Sequence, residues 1–219
     1  KVVNMNNAAI DAAADALVKV NVPESWKNAK DTAVEEKEVP AFIKDILMPM
    51  NSLKGDDLPV SKLVDHVDGT FPHGTARYEK RAIAVTVPEW DADKCIQCNQ
   101  CSFICPHAVI RPFLLTDEEL KAAPKGFKAV KAIGGKAFEG LNFTIQVSVE
   151  DCTGCGNCAD VCPSNKGKAL VMKPIGGQMH EAENFKYAFE LPHKTNPMST
   201  GTVKGSQFEQ PLLEFSGAC

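Results

Sequence analysis

The chain has 219 residues, a formal net charge of −4 and a hydrophobic fraction of 44%. Its length fits one domain with extensions. The acidic balance argues against nucleic acid as a main partner, and no apolar run approaches the roughly 20 residues of a membrane-spanning helix. Nine cysteines, without a signal-peptide apolar core at the N-terminus, indicate a reducing compartment, so we expect a cytoplasmic protein.

Residues 6–20 predict a helix near the start of the chain. Asn7 can cap its N-terminus, and the alanine-rich composition favours helix. Ile10, Ala14 and Leu17 fall on one face, which predicts a packing helix without chemistry of its own.

Residues 23–80 predict an irregular connector, because prolines interrupt its candidate elements. These prolines are Pro23, Pro40, Pro49, Pro59 and Pro72. Residues 41–47 form a short amphipathic piece that would need a partner surface to be stable.

An internal repeat follows, and each half contains a run of cysteines with the spacing C-x2-C-x2-C-x3-C followed by proline. The runs are Cys95, Cys98, Cys101, Cys105 and then Cys152, Cys155, Cys158, Cys162. This pattern is typical of bacterial two-cluster ferredoxins, in which the fourth cysteine of one run ligates the cluster of the other run. It predicts one 4Fe–4S cluster on Cys95, Cys98, Cys101 and Cys162. It predicts a second on Cys152, Cys155, Cys158 and Cys105.

Two other uses of eight cysteines fit this pattern less well. A disulfide framework suits short secreted chains, and zinc usually takes its ligands as two separated pairs. Neither run replaces a cysteine by aspartate, so two complete clusters are expected.

Each cysteine run lies between two β-prone stretches. These stretches are residues 83–87 and 109–110 in the first half, and residues 143–147 and 169–172 in the second. The repeat predicts an α+β fold, a bacterial dicluster ferredoxin-like domain over residues 81–175 with a helical insert between the motifs. In the second loop, Gly154 and Gly156 let the backbone approach the sulfide closely.

The long spacer between the runs predicts the helix of the insert. Thr116 can cap this helix, Glu119 can complete a capping box, and Pro124 follows as a stop. Five lysines lie in or beside it: Lys121, Lys125, Lys128, Lys131 and Lys136. They form either a docking patch for an acidic electron carrier or an ordinary solvated surface.

No catalytic residues are predicted in this chain. The histidines have no ligand spacing, and neither a Ser/His/Asp set nor a nucleotide-binding loop is present in the sequence. The chain is therefore expected to carry electrons without breaking bonds itself.

Several stretches outside the cysteine runs resemble pyruvate:ferredoxin (flavodoxin) oxidoreductase. They are residues 48–59, 68–72, 78–81, Trp90, 126–131 and 206–219. The resemblance covers essentially the whole chain, and these flanking matches are more specific than the cysteine runs.

The resemblance implies an internal fragment of a larger oxidoreductase with four parts. Residues 1–22 would be the helical tail of a preceding domain, 23–80 the connector, 81–175 the ferredoxin-like domain, and 176–219 a connector and the start of a thiamine-binding domain. The family decarboxylates pyruvate on thiamine diphosphate with Mg²⁺, passes electrons through 4Fe–4S clusters and forms acetyl-CoA.

By the same resemblance, the two predicted clusters are the medial and distal relays, and Cys219 is a ligand of a third, proximal 4Fe–4S cluster. External ferredoxin or flavodoxin would accept the electrons. Coenzyme A and pyruvate would bind outside the fragment, and the parent enzyme would be a homodimer in the cytoplasm, or in the hydrogenosome of an anaerobic eukaryote. The alternative is a stand-alone dicluster carrier or redox subunit, which should begin with Met and end near residue 175.

Overall fold

The structure is a computed structural model that describes residues 1–13, 15–30 and 38–209. It contains two compact units, Lys1–Val39 and Pro40–Cys219. Within the described ranges, no helix is long and apolar enough to cross a bilayer.

The first unit contains helix α1, Val2–Ala13, and a 3-10 turn, Glu24–Asn28. The predicted bounds of 6–20 are wrong, because the helix begins earlier and ends before Val18 and Val20, whose β-branched side chains disfavour helix. Its described residues are all exposed, and Ile10 retains 71% of its accessible surface. The expected packing face is therefore not buried within this unit, and Ala14 lies outside the described residues.

The second unit begins with a continuous helical run over residues 41–51. A π-helical turn, Ile43–Leu47, leads into α2, Met48–Asn51. The expectation that prolines break each element is wrong at Pro49. The helix continues through it, and the wider turn just before it accommodates the ring and the missing N–H.

This helical run packs locally through apolar and aromatic side chains. Ile43 and Ile46 are buried, and the Phe42 ring centroid lies 4.9 Å from the rings of both His66 and Phe71. The rest of the connector forms 3-10 turns at Gly55–Asp57, Val60–His66 and Thr75–Tyr78.

Among the residues that the structure describes, five strands form two antiparallel sheets. They are β1 Thr86–Trp90, β2 Ile110–Leu115, β3 Val130–Lys131, β4 Asn142–Val147 and β5 Leu170–Pro174. β1 pairs with β5, and the second sheet has the order β2–β4–β3. β1 and β2 of the first half therefore pair with β5 and β4 of the second half, so each sheet contains strands from both halves.

Five further short helices lie in the described part of this unit. They are α3 Gln100–Ile104, α4 Asp117–Ala122, α5 Asn157–Val161, α6 Glu181–Glu190 and α7 Val203–Glu209. The arrangement agrees with the predicted α+β class.

The capping box predicted for α4 is confirmed. The Glu119 N–H donates to Thr116 Oγ1 at 3.2 Å, and the Thr116 N–H donates to Glu119 Oε2 at 2.8 Å. The Tyr187 hydroxyl donates to the Glu119 carbonyl at 2.5 Å, and Lys194 Nζ lies 2.8 Å from Glu119 Oε1. These bonds attach the insert to α6 and the segment that follows it.

The core lies between the two sheets and the cysteine loops. Val87, Phe143 and Val149 are fully buried in it. Ala182 of α6 and Phe208 of α7 pack against this core. The described part of residues 176–219, which we expected to be a connector, therefore covers the ferredoxin-like core.

Candidate metal centres

A small cavity lies between the two cysteine runs. Four cysteines line it: Cys95, Cys98, Cys101 and Cys162. Trp90, Ile145 and Leu170 contribute apolar walls. The cavity thus combines three thiols of the first run with the last thiol of the second, as the crossed pattern requires.

The other four cysteines also approach one another across the two runs. Burial raises the pKa of Cys158 to about 12, and the charges of Cys105, Cys152 and Cys155 act in the same direction. Burial is also the main cause of the raised pKa of Cys152, with Cys105 and Cys155 again contributing. Cys105 of the first run therefore lies near enough to Cys152 and Cys158 of the second run for its charge to act on them.

Strand pairing brings these distant residues together. Ile110 faces Val147 in the β2–β4 pair, so the chain leading from Cys105 into β2 runs beside the chain leading from β4 to Cys152. The Ser148 N–H donates to the Val109 carbonyl at 2.8 Å and extends this pairing toward the loop.

The β1–β5 pair has the same effect on the other side. Trp90 faces Leu170, and the Asp91 N–H donates to the Ala169 carbonyl at 2.8 Å. Ser164 Oγ donates to the Lys94 carbonyl at 2.6 Å, which attaches the chain after Cys162 to the residue before the first loop.

The donor set fits two iron–sulfur cubanes. In the described residues, no three His, Cys, Asp or Glu side chains converge tightly enough for one metal ion. Cubane ligands bind different iron corners and need not meet at one point. Burial also raises the pKa values of Cys95 and Cys101, so cluster assembly would have to displace protons from these thiols.

Backbone amides point at three of the sulfurs. Gln97 N–H donates to Cys95 Sγ at 3.3 Å, and Gly154 N–H donates to Cys152 Sγ at 3.4 Å. Ala169 N–H donates to Cys162 Sγ at 3.3 Å. Hydrogen bonds to sulfur are one of the means by which a protein adjusts a cluster potential.

The two loops use the same left-handed backbone positions with different residues. Gly154 and Gly156 have φ values of 73° and 81°, and the matching positions in the first loop are Gln97 and Asn99, with φ values of 56° and 60°. The sequence analysis identified the glycines and missed Gln97 and Asn99. Aligning the two runs would have revealed them.

The side chains of Gln97 and Asn99 connect the first loop to distant segments. Gln97 Nε2 donates to the Lys131 carbonyl at 2.8 Å, and its Oε1 accepts from the Ile133 N–H at 2.8 Å. Asn99 Nδ2 donates to the Lys204 carbonyl at 2.9 Å. The first loop is thereby attached to the insert and to α7.

A salt bridge connects the second loop to the segment before β1. The Lys80 ammonium contacts the Asp151 carboxylate, whose side chain is 6% exposed. Ser148 Oγ donates to the same carboxylate at 2.5 Å, and the Ala82 N–H donates to the Glu150 carbonyl at 2.9 Å. Sequence reasoning did not identify Lys80 or Asp151, because the contact is between residues distant in sequence.

The remaining candidate residues that the structure describes are exposed. Cys155 is exposed, so the second loop reaches the surface. All five insert lysines are exposed. Lys131 pairs with Asp117 at 2.8 Å and Lys128 with Glu89 at 3.3 Å. Cys219 lies outside the described residues.

Comparison with known proteins finds two families and several long relatives. Residues 28–84 match EKR, described as a domain of unknown function, and residues 94–166 match a 4Fe-4S dicluster domain. Over the whole chain, a pyruvate-flavodoxin oxidoreductase of Enterobacter agglomerans is 57% identical, and a pyruvate:ferredoxin oxidoreductase of Moorella thermoacetica is 53% identical. Over its whole length, the chain is therefore similar to a segment of the pyruvate:ferredoxin and pyruvate-flavodoxin oxidoreductases.

The chain spans 18% of the length of each of these two relatives. A mitochondrial pyruvate dehydrogenase (NADP⁺) of Euglena gracilis is 45% identical over the whole chain, which spans 12% of that protein. The match to the dicluster domain confirms the predicted ferredoxin-like fold and the two 4Fe–4S clusters. The segment before β1 that contains Lys80 lies in the EKR match.

Proposed function

We propose that this chain relays electrons through two 4Fe–4S clusters inside a pyruvate:ferredoxin oxidoreductase. The observation that carries the proposal is the cavity lined by cysteines of both runs. One cluster is held by Cys95, Cys98, Cys101 and Cys162. The other is held by Cys152, Cys155, Cys158 and Cys105.

In this proposal, the bound clusters supply reversible one-electron transfer, and the chain's own residues set the conditions for it. Trp90, Ile145 and Leu170 exclude water from the first site. The N–H groups of Gln97 and Ala169 stabilise negative charge on its sulfurs. The paired strands keep the two sites at a constant separation.

The proposed reaction of the whole protein follows from the relatives. Pyruvate, coenzyme A and oxidised ferredoxin would give acetyl-CoA, CO₂ and reduced ferredoxin, with flavodoxin as the other candidate acceptor. Thiamine diphosphate, Mg²⁺ and a third 4Fe–4S cluster would bind outside the two sites described above, and Cys219 would be a ligand of that third cluster.

The wider setting is proposed on the same basis. Residues 1–22, 23–80, 81–175 and 176–219 would be the four parts expected from the sequence, and the parent enzyme would be a homodimer in the cytoplasm. The relatives give no support for a hydrogenosome.

The ligand assignment is tested by two single substitutions in the anaerobically purified protein. The unsubstituted 219-residue protein should contain eight irons, four in each cluster of the dicluster domain. Cys162→Ala should damage the cluster of Cys95, Cys98 and Cys101, and Cys105→Ala should damage the other. EPR spectra of the reduced proteins would show which cluster remains.

Two results would contradict the proposal. Stoichiometric zinc in place of iron would refute electron relay, and damage confined to the cluster of the mutated run would refute the crossed ligand sets. Pyruvate-dependent reduction of ferredoxin or flavodoxin by the full-length enzyme that contains this chain tests the proposed overall reaction, and its absence would refute it.

A further inference from the structure

Lys204 lies at the edge of the first cluster site. It belongs to α7, outside the residues that match the dicluster domain. Its backbone carbonyl accepts the 2.9 Å hydrogen bond from Asn99 Nδ2, and Asn99 lines the cavity of the first site. A second bond in the same interface joins Ser102 Oγ to Gln207 Oε1 at 2.9 Å, so both α7 and the Lys204 backbone are held against the first loop.

Residues of the insert bind the ammonium group of Lys204 and fix its position. It donates to the carbonyl of Ile133 and lies 5.1 Å from the centroid of the buried Phe138 ring. Both a carbonyl oxygen and an aromatic face favour a cation. Because Gln97 binds the Ile133 N–H at 2.8 Å, the first loop itself holds the segment after β3 that positions this ammonium group.

Lys204 and the first cysteine run are linked through Gln97, whose N–H donates to Cys95 Sγ at 3.3 Å and whose side chain binds the N–H of Ile133, the residue whose carbonyl accepts from the Lys204 ammonium. Burial lowers the pKa of Lys204, whereas negative charge on Cys95 and Cys98 acts in the opposite direction. The half-buried position weakens solvent screening of this interaction.

We propose that Lys204 raises the reduction potential of the first cluster, the one assigned to Cys95, Cys98, Cys101 and Cys162. Reduction adds one negative charge to the cluster, and a nearby cation stabilises the reduced form more than the oxidised form. This inference rests on the proposed cluster ligation. It assigns a redox role to α7.

The test is a redox titration of the anaerobically purified protein, monitored by EPR. Lys204→Met removes the charge and keeps an unbranched side chain, and Lys204→Gln is a second neutral variant that keeps a donor for the Ile133 carbonyl. Lys204→Arg retains the charge. Lys186→Met is the matched control, because Lys186 is an exposed lysine in α6.

We expect both neutral variants to shift one midpoint potential to a more negative value, with the other midpoint unchanged. Lys204→Arg should retain most of the parent value, and Lys186→Met should match the parent at both midpoints. Repeating Lys204→Gln in a Cys105→Ser background, where the second cluster is altered, should show that the shifted midpoint belongs to the first cluster.

An unchanged first midpoint in a neutral variant with full iron content would overturn the inference. So would an equal shift in Lys204→Arg, because the loss would then follow from packing rather than charge. If the Lys204→Met protein fails to bind iron, the midpoint potential of the first cluster in the Lys204→Gln protein decides the test. A parent protein without two reducible centres would instead refute the proposed function, so the two failures are distinguishable.

Discussion

At the residue scale, the two cysteine loops adopt the same left-handed turns with different side chains. In the second loop glycine fills these positions, and Gly154 also lies against the chain entering β1. In the first loop Gln97 and Asn99 accept the backbone strain, and their side chains form hydrogen bonds to distant carbonyls. The first loop is therefore attached to more of the molecule than the second.

Gly154→Ala should destabilise the cluster-loaded protein. A Cβ atom at this position would lie 2.8 Å from the Thr86 carbonyl oxygen, at a φ of +73°. The left-handed conformation alone costs about 1–2 kcal/mol for a residue with a Cβ, and the contact adds to it. Thermal unfolding under anaerobic conditions measures the change.

Gly176→Ala is the matched control for this prediction. A Cβ atom there meets no described atom within 4 Å, so its thermal unfolding should stay close to that of the parent. Equal stability of the Gly154→Ala and Gly176→Ala proteins would contradict the structural account of the second loop.

At the scale of elements, segments outside the cysteine runs hold the two loops. α7 and the insert bind the first loop, and the segment before β1 binds the second through Lys80 and Asp151. This contact gives part of the EKR match, residues 28–84, a structural role beside the second cluster site.

Asp151→Asn should weaken the second loop selectively. It leaves the Lys80 ammonium, whose side chain is 24% exposed, without its charged partner. Removing one partner of a largely buried charged hydrogen bond costs about 1–3 kcal/mol. We expect faster iron loss to a chelator from the second cluster than from the first, followed by EPR.

Asp45→Asn is the control, because it breaks an exposed ion pair with Lys62 in the same unit, at 3.1 Å and with both side chains 46% exposed. Exposed pairs contribute about 0–1 kcal/mol. If the two variants lose iron at the same rate, Lys80 and Asp151 do not hold the second loop.

At the scale of the whole molecule, the lysines of the insert form a candidate docking surface for an acidic electron carrier. Lys128 and Lys131 have carboxylate partners on this chain, so the charges of Lys121, Lys125 and Lys136 are the better test of docking. Electrostatic steering by such a patch would act on the association rate and would weaken with salt.

Reversing the charges of Lys121, Lys125 and Lys136 to Glu should slow association with an acidic ferredoxin at low salt. The difference from the parent should fade as the Debye length falls below about 10 Å. Stopped-flow kinetics across a salt series provides the measurement, with Lys186→Glu as the exposed control outside the insert. Parent-like rates at every ionic strength would mean that these lysines form an ordinary solvated surface.

The sequence by itself determined the features that depend on neighbours along the chain. The spacing of the cysteines predicts both clusters, because three of the four ligands of each cubane follow one another within a tight loop and the fourth comes from the other run. Thr116 and Glu119 predict the start of α4, because a capping box involves residues only three positions apart. Where the prediction used an alanine-rich composition, a single candidate cap and a short apolar face, as for residues 6–20, the predicted helix bounds were wrong.

Only the tertiary structure decided the contacts between distant segments. Asn99 reaches Lys204, and Lys80 reaches Asp151. No local periodicity encodes such pairs, because they depend on how β1 pairs with β5 and β2 with β4. The pairing of strands from the two halves thus determines which charges and amides surround each cluster site.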